Sequence, residues 1–484
     1  MSVEHRLLAP GLRVSRVLNG LWQVADQERD GAQLDPDEAA RALEAHVEAG
    51  FDTFDAADHY GSAEVIAGTL ARRREGVRVL TKWVPSPGAS SRAEVETAVD
   101  RALGRIGVER IDLLQFHAWN YADPSWLDCL FHLADLKAEG KILHLGATNL
   151  DAVHLDMALH SGIPIVCNQV CYSLLDRRPA TAMSEVCRTH GVQLLAYGTL
   201  AGGLLSDRWL NRPAPPIDDA LTWSQMKYRR FVDQAGGWDR FQEVLRAARR
   251  VADRLGVSIA NLGARYVLEQ PCVAGVIVGA RAGGRSHLED NLRLFDFSLD
   301  GDALAELDGA ADHLDAIPGD CGDEYRRPPY LTAAGDLRHH VTRFPAPYPV
   351  RRGSDGRARV SSGTMWEDVA GFSRAVRAGN RILVAGTTAT HGSRLIGGDD
   401  AGAQTHFAID KVEGALSSLG AGLPDVVRTR LYIRETADWE AVARAHGHRF
   451  REALPANTLI RTGLVGEGYR VEIEAEAEVR ASPE

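Results

Sequence analysis

No uninterrupted apolar run in these 484 residues approaches the roughly 20 that a membrane-spanning helix needs. The opening residues MSVEHRLLAPGL lack the basic region and apolar stretch of a signal peptide, which predicts a cytoplasmic protein. Basic excess is missing as well. A net charge of −11 argues against general binding to nucleic acid or an anionic membrane, and Arg72-Arg73-Arg74 reads as a solvated helix end. The six cysteines (Cys129, Cys167, Cys171, Cys187, Cys272 and Cys321) form neither a CxxC pair nor a dense framework. Buried, reduced thiols are therefore expected, and a metal site is not. With 45% hydrophobic and 25% charged residues the chain can build a sizeable core, and its length predicts two or three domains.

What is present is a regular alternation. From residue 16 to about 295, short β-branched or aliphatic runs alternate with helical stretches. The strand candidates are 16–22, 51–57, 77–83, 111–117, 142–149, 165–170, 192–198 and 273–280, with amphipathic segments such as 35–50 and 91–107 between them. Parallel strands need helical crossovers, so these repeated units predict a (β/α)8 TIM barrel. A doubly wound open sheet is the alternative, weakened because no GxGxxG follows the first strand. Residues 202–240 form an unusually long connection carrying Trp209, Trp223, Tyr228, Phe231 and Trp238. That aromatic content disfavours disorder and predicts a cover over a pocket or a loop packed on the barrel.

Residues 312–354 are rich in Pro, Gly and charge and lack periodicity. They read as a connector between a barrel domain at 1–311 and a second domain at 355–484, and their aromatics predict packing against a surface. In the second domain RARVSSG, RILVAGTTA, VVRTRLYIR, NTLIRTGLV and RVEIEAEAEV read as strands, with helices at about 402–419 and 438–452. The last strand alternates strictly, with Val471, Ile473, Ala475, Ala477 and Val479 on one face, as in a sheet covered on one side.

Barrel enzymes assemble their sites from the C-terminal ends of strands. Asp55 ends the second strand, Lys82 lies near the end of the third and His117 ends the fourth, while Tyr60 follows Asp55 in the next loop. Each alone has a plain structural reading: a turn aspartate, a snorkelling lysine, a satisfied core histidine. Together they make a proton-delivery device. The lysine cation would lower the phenol's pKa, Asp55 would orient the lysine, and His117 would donate a hydrogen bond to a carbonyl. Tyr60 would protonate the oxygen as hydride reaches the carbon, and side chains hold no hydride, so a nicotinamide cofactor is implied. Within the same loop, Asp58 and His59 are expected to be structural, and Ser62 to start the next helix.

The blocks "FDTFDAADHYGSAE", "LTKW", "DLLQFH", "LGATN", "NQVCYSLLDR", "LAYGTLAGG" and "VGA…EDN" occur in this order, and from about residue 10 to 310 the chain resembles the aldo-keto reductases. The resemblance implies a (β/α)8 barrel using NAD(P)H with a catalytic tetrad at Asp55, Tyr60, Lys82 and His117. It further implies that Thr148, Asn149 and Gln169 face the nicotinamide carboxamide and that Tyr197 stacks on the ring. Gly198, Thr199 and Leu200 would run along the pyrophosphate. Gly279, Ala280, Arg281, Asp290 and Asn291 would meet the adenosine end, where Arg281 favours NADP(H) over NAD(H). The loop "RAGGRSH" is about two residues longer than the family's common pattern. The substrate expected is a small carbonyl compound or the corresponding alcohol. Trp22, Trp83 and Trp119 suit an aromatic aldehyde or a sugar face, and each suits the core equally.

The motifs "AGFSRAVRAGNRILVAGTT", "SLGAGLPDVVRTRLYI", "RFREALPANT" and "VEIEAEA" make residues 355–484 similar to the RidA/YjgF family. That likeness implies a small α/β, chorismate-mutase-like fold that trimerises, with ligand clefts between subunits. Glu474 matches the family's glutamate, whereas Phe372 stands at its tyrosine position and Asn457 at its arginine position. Loss of the bidentate guanidinium argues against standard imine deamination and favours an oligomerisation module or a pocket for another ligand, with Arg430 or Arg461 as candidate substitutes. The leading expectation is a homotrimeric NAD(P)H-dependent oxidoreductase. A coupled imine- or enamine-processing enzyme and a non-catalytic nicotinamide-binding scaffold are the alternatives.

Overall fold

The structure, a computed structural model, describes residues 2–283 and 287–479. Eight parallel strands close into a barrel in sequence order: β1 (Val17–Gly20), β2 (Thr53–Asp55), β3 (Arg78–Trp83), β4 (Ile111–His117), β5 (Ile142–Thr148), β6 (Ile165–Cys171), β7 (Gln193–Tyr197) and β8 (Val273–Gly279), with β8 pairing back onto β1. Local chemistry explains why the crossovers are helical. Asp35 caps the helix Pro36–Glu48 by accepting from the Glu38 amide, and Ser91 with Glu94 forms a reciprocal capping box that starts Arg92–Ile106. Gly107 ends the latter in a left-handed conformation. An N-terminal hairpin (His5–Ala9 with Leu12–Ser15), not foreseen from the sequence, packs Leu8, Leu12 and Val14 against Leu18, Leu80, Leu113 and Leu195 and plugs one end of the barrel. The other end is left for a site.

The 202–240 connection is more ordered than a loop. It contains the helix Trp223–Gln234, opened by a capping box between Thr222 and Gln225, and Trp238 begins the next helix, Trp238–Leu255.

The second domain is a seven-stranded sheet built from β9 (Val350–Arg352), β10 (Ala358–Val360), β11 (Ala375–Ala378), β12 (Arg381–Thr388), β13 (Val426–Ile433), β14 (Ala456–Arg461) and β15 (Val471–Glu478), ordered β9-β10-β11-β12-β15-β13-β14. Its sheet thus begins at Val350, inside the segment expected to be connector. The helices Ala401–Ser418 and Trp439–Arg449 belong to the same domain, and Val471, Ile473, Ala475 and Ala477 of β15 are buried in a core shared with Ala401–Ser418. The opposite face carries exposed Leu383, Val427 and Ile460. All six cysteines are free, and only Cys272 is not fully buried. No helix among the described residues is long and apolar enough to cross a membrane.

The two domains share a core-like junction. Ile396, Ala403 and Phe407 of the second domain belong to the same apolar cluster as the barrel. Arg394 stacks over the Phe131 ring at 4.1 Å, and His391 Nε2 lies 2.8 Å from Asp128 Oδ2. A side-chain carbon at Gly414 would come within 2.3 Å of the Ala122 carbonyl, so only glycine allows this approach. At the centre His154 is held between Asp151 (Nδ1 to Oδ1, 2.6 Å) and Asp410 (Nε2 to Oδ2, 3.1 Å), with the Tyr121 ring stacked on it at 3.4 Å. Two carboxylate partners require both ring nitrogens to be donors. Burial opposes that charge, but the two aspartates outweigh it and raise the imidazole to about 9.

Candidate active site

Parallel register places the tetrad at one end of the barrel. Asp55 closes β2 beside Gly20 of β1, Lys82 pairs with Gln115 across β3 and β4, and His117 is the last residue of β4. Lys82 Nζ donates to Asp55 Oδ2 and to the Ala56 carbonyl, both at 2.7 Å, and it lies 4.8 Å from the centre of the Tyr60 ring. Burial pulls the ammonium below its usual value, and Asp55 works against that shift. The Asp55 carboxylate also accepts from Gln169 at 2.8 Å and Gln115 at 3.3 Å.

Burial holds the Tyr60 phenol well above its usual value, and the charge of Asp55 adds to the effect. The lowered phenol expected from the sequence is therefore not what this geometry gives. Lys82 spends two of its three donors on Asp55 and Ala56 and meets the ring face, where it does not stabilise a phenolate by a hydrogen bond. His117 is pushed down to about 3 by burial and by the Arg326 charge, so its ring is neutral, and its buried Nε2 has no partner. A neutral imidazole suits a carbonyl oxygen in the tautomer that carries its proton on this free nitrogen.

These residues open into a cleft of about 1570 Å³. Its volume exceeds that of an ordinary small-molecule site and has room for a dinucleotide plus a substrate. Thr148, Asn149, Gln169, Tyr197, Gly198, Thr199, Leu200, Gly279, Arg281, Asp290 and Asn291 line it, whereas Ala280 is buried behind it. Two amides are oriented in a complementary way. Gln169 uses its NH2 on Asp55 and on Gln115 Oε1, which leaves its Oε1 to accept. Asn149 uses its Oδ1 to accept from the Tyr197 hydroxyl at 2.7 Å, which leaves its NH2 to donate. One free acceptor beside one free donor matches a primary carboxamide. Thr199 Oγ1, buried and without a partner, adds an orphan group for a ligand to satisfy. These residues fit a nicotinamide dinucleotide. Thr148 instead bonds the Gln169 carbonyl at 3.2 Å.

At the far end Asp290 accepts from Asn261 at 3.0 Å and Ser258 at 3.2 Å, and Arg281 Nη2 lies 3.3 Å from Asp26 Oδ2. Residues 284–286 of the lengthened loop lie outside the described residues.

Sequence reasoning missed the residues that roof the cleft. Of the three tryptophans left open between cleft and core, Trp22 and Trp119 face the cleft, and Trp83 packs on Phe116 in the core. His59, expected to be structural, lines the cleft with its ring 4.7 Å from that of Tyr60, while Asp58 accepts from the Val84 amide. Ser62 precedes the helix Ala63–Arg73, yet its hydroxyl bonds Glu28 rather than capping. The connector does more than pack on a surface: Tyr325, Thr332, His339 and His340 form part of the cleft wall. With Trp22, Trp119 and Trp223 they make a roof of rings over Tyr60 and His117. The signal was the aromatic and histidine content of 325–340, with nothing in the sequence to say which surface it meets. Away from the site Asp156, His160 and His190 converge with ligand atoms within 4.8 Å, and the pairing of both rings to the one carboxylate accounts for the cluster without an ion.

In the second domain Glu474 is paired with Arg430 at 3.2 Å, and Arg430 also reaches Glu476 at 3.3 Å. Asn457 donates to Thr429 Oγ1 at 3.0 Å. Of the two guanidiniums offered as substitute carboxylate clamps, Arg430 and Arg461, that of Arg430 is thus already engaged by carboxylates.

Residues 16–312 match the aldo/keto reductase family, and residues 365–479 match the family described as endoribonuclease L-PSP. An uncharacterized protein of Streptomyces coelicolor is 40% identical over 125 residues, 26% of this chain and 93% of its own. The NADH-specific methylglyoxal reductase of Escherichia coli is 26% identical over 298 residues, 56% of this chain and 87% of its own. The glycerol dehydrogenase of Gluconobacter oxydans shares the fold, with a TM-score of 0.54 and 23% identity over 66% of this chain and 97% of that one. With 16–312 matched over more than half its length, the chain belongs to the aldo/keto reductase family and carries a C-terminal RidA-type (L-PSP, YjgF) domain.

Proposed function

We propose that the barrel reduces an aldehyde or ketone, or oxidises the alcohol in reverse, with Tyr60 as the proton donor and acceptor. The observation that carries this reading is the complementary amide pair, Asn149 NH2 and Gln169 Oε1, set beside the Asp55–Lys82–Tyr60–His117 group in one cleft. When bound, a nicotinamide cofactor supplies the hydride. His117 Nε2 meets the carbonyl oxygen and orients it. Tyr60 passes its hydroxyl proton to that oxygen, and the Lys82 ammonium, fixed by Asp55, sets its charge 4.8 Å from the centre of the ring that becomes the phenolate. Trp22, Trp119 and Trp223 give the cleft an apolar wall beside the transfer. We favour NADP(H), with Arg281 released from Asp26 to meet a 2′-phosphate, although one relative is named as NADH-specific. The same experiment compares both cofactors.

The second domain is read as an assembly module in a cytoplasmic homotrimer. The barrel covers one side of that domain through Ala401–Ser418, which leaves the sheet face with Leu383, Val427 and Ile460 free for further copies. Its engaged Arg430 disfavours a coupled imine reaction. Stopped-flow oxidation of NADPH and NADH over a panel of aldehydes and sugars tests the barrel. Substrate-dependent oxidation is expected, reduced by roughly 10²–10⁴ in Tyr60→Phe. A wild type that binds cofactor but oxidises none would leave only the scaffold reading.

A further inference from the structure

The connector turn at 320–326 grips the two residues that face the nicotinamide. Arg326 Nη2 donates to the Asn149 carbonyl at 2.8 Å and to the Cys321 carbonyl at 2.7 Å, while Nη1 reaches the Ala118 carbonyl at 3.2 Å. Its guanidinium carbon lies over the Tyr121 ring, 4.5 Å from the centre. Asn149 sits at φ +60, a left-handed conformation that asparagine tolerates better than most residues, and Arg326 ties down its carbonyl from the C-terminal side.

Glu324 does the same for the stacking residue. Its Oε1 lies 3.2 Å from the Tyr197 hydroxyl oxygen and shares that single hydroxyl hydrogen with Asn149 Oδ1, and its Oε2 accepts from Arg178 at 3.0 Å. Lys227, which lies 5.0 Å from the centre of the Tyr197 ring, is 3.5 Å from Glu324 and donates to the Tyr325 hydroxyl at 2.7 Å. The backbone itself is pressed onto Asn149. A Cβ at Gly322, where φ is +80, would stand 2.2 Å from the Asn149 oxygen.

We infer that Arg326 and Glu324 are positioning residues for the nicotinamide end of the cofactor, Arg326 through Asn149 and Glu324 through Tyr197. A turn that merely stitched connector to barrel would have no reason to converge on this pair. The Tyr197 hydroxyl joins the two grips, since it also bonds Asn149 Oδ1 and so fixes which end of that amide faces the cleft. Arg326→Lys keeps the charge but removes the fork that spans three carbonyls. The inference rests on the reductase reading, and its test separates the two.

Affinities of the full-length protein for NADPH and for 2′-phospho-ADP-ribose, which lacks the nicotinamide, are measured by calorimetry, with NADH and ADP-ribose in parallel. In wild type the whole cofactor binds more tightly than its fragment. Arg326→Lys and Gly322→Ala are expected to weaken the whole cofactor about tenfold and leave the fragment unchanged. Should Arg326→Lys not fold, Glu324→Gln carries the test through Tyr197. Equal loss of cofactor and fragment, or loss of neither, overturns the inference and leaves the reductase reading standing. A wild type that gains nothing from the nicotinamide overturns both.

Discussion

His154 of the barrel and Asp410 of the second domain, 256 positions apart in sequence, are joined by a 3.1 Å bond from Nε2 to Oδ2 at a buried junction. Asp151 holds the other ring nitrogen, and Arg449 completes the charge balance on Asp410. The imidazolium is thus a rivet between two independently built domains.

The rivet makes docking depend on pH with a definite sign. His154 titrates at about 9 in the folded protein against an ordinary 6.5 for a solvated imidazole, so the folded state holds its proton longer than the unfolded chain does. Its stabilisation is complete below the lower value, declines above it and is lost as pH rises through the higher one. Thermal melts from about pH 6 to 10 should show Tm falling by a few degrees across that window. His154→Gln should melt lower at the acidic end and lose this component of the slope.

Reduction should lack an inflection from His117 or Tyr60 between about pH 5 and 9. His117 titrates near 3 and stays neutral, while Tyr60, held above its ordinary value, stays protonated. These two groups should therefore leave the reductive kcat level over that range. The oxidative direction needs the phenolate and should climb with pH up to the alkaline limit of stability.

Lys82 and Asp55 are both 4% exposed, so neither tolerates loss of its partner. Lys82→Met leaves a buried carboxylate uncompensated and should cost about 3–5 kcal/mol in urea unfolding. Asp55→Leu combined with Lys82→Met should recover part of that loss while remaining inactive.

Gly414→Ala drives a methyl to 2.3 Å from the Ala122 carbonyl. A loss of about 1–3 kcal/mol is expected, the range for overpacking a tight contact. Calorimetry should show it as uncoupling of the two domains, with limited proteolysis cutting the connector sooner.

If the free face of the second domain joins copies, Leu383→Glu with Ile460→Glu should convert a trimer to monomers in light scattering. A wild-type monomer at micromolar concentration would sink that assembly.

Most of the barrel is legible in the sequence because its cues are local. Alternating apolar runs, the Asp35 and Ser91 caps and the strand-end positions of Asp55, Lys82 and His117 are written into short stretches. What escapes is set by long-range contact. Trp22, Trp83 and Trp119 look alike in sequence, yet only barrel closure turns two toward the cleft and one into the core. The raised phenol of Tyr60 is hidden because two donors of Lys82 are spent on Asp55 and a backbone carbonyl, which no spacing reveals. Ala375–Ala378 leaves no strand signature of its own because it is short and pairs with partners before and after it.

The roof supplied by Tyr325, His339 and His340 also bears on how such a chain can be taken apart. A cut after residue 311 keeps all eight barrel strands and the tetrad but discards a wall of the reaction chamber. The second domain is therefore no detachable passenger: exchanging it for another while preserving selectivity means keeping the segment up to Val350 with the barrel. Divergence within that segment would retune what the enzyme accepts without altering a single barrel strand.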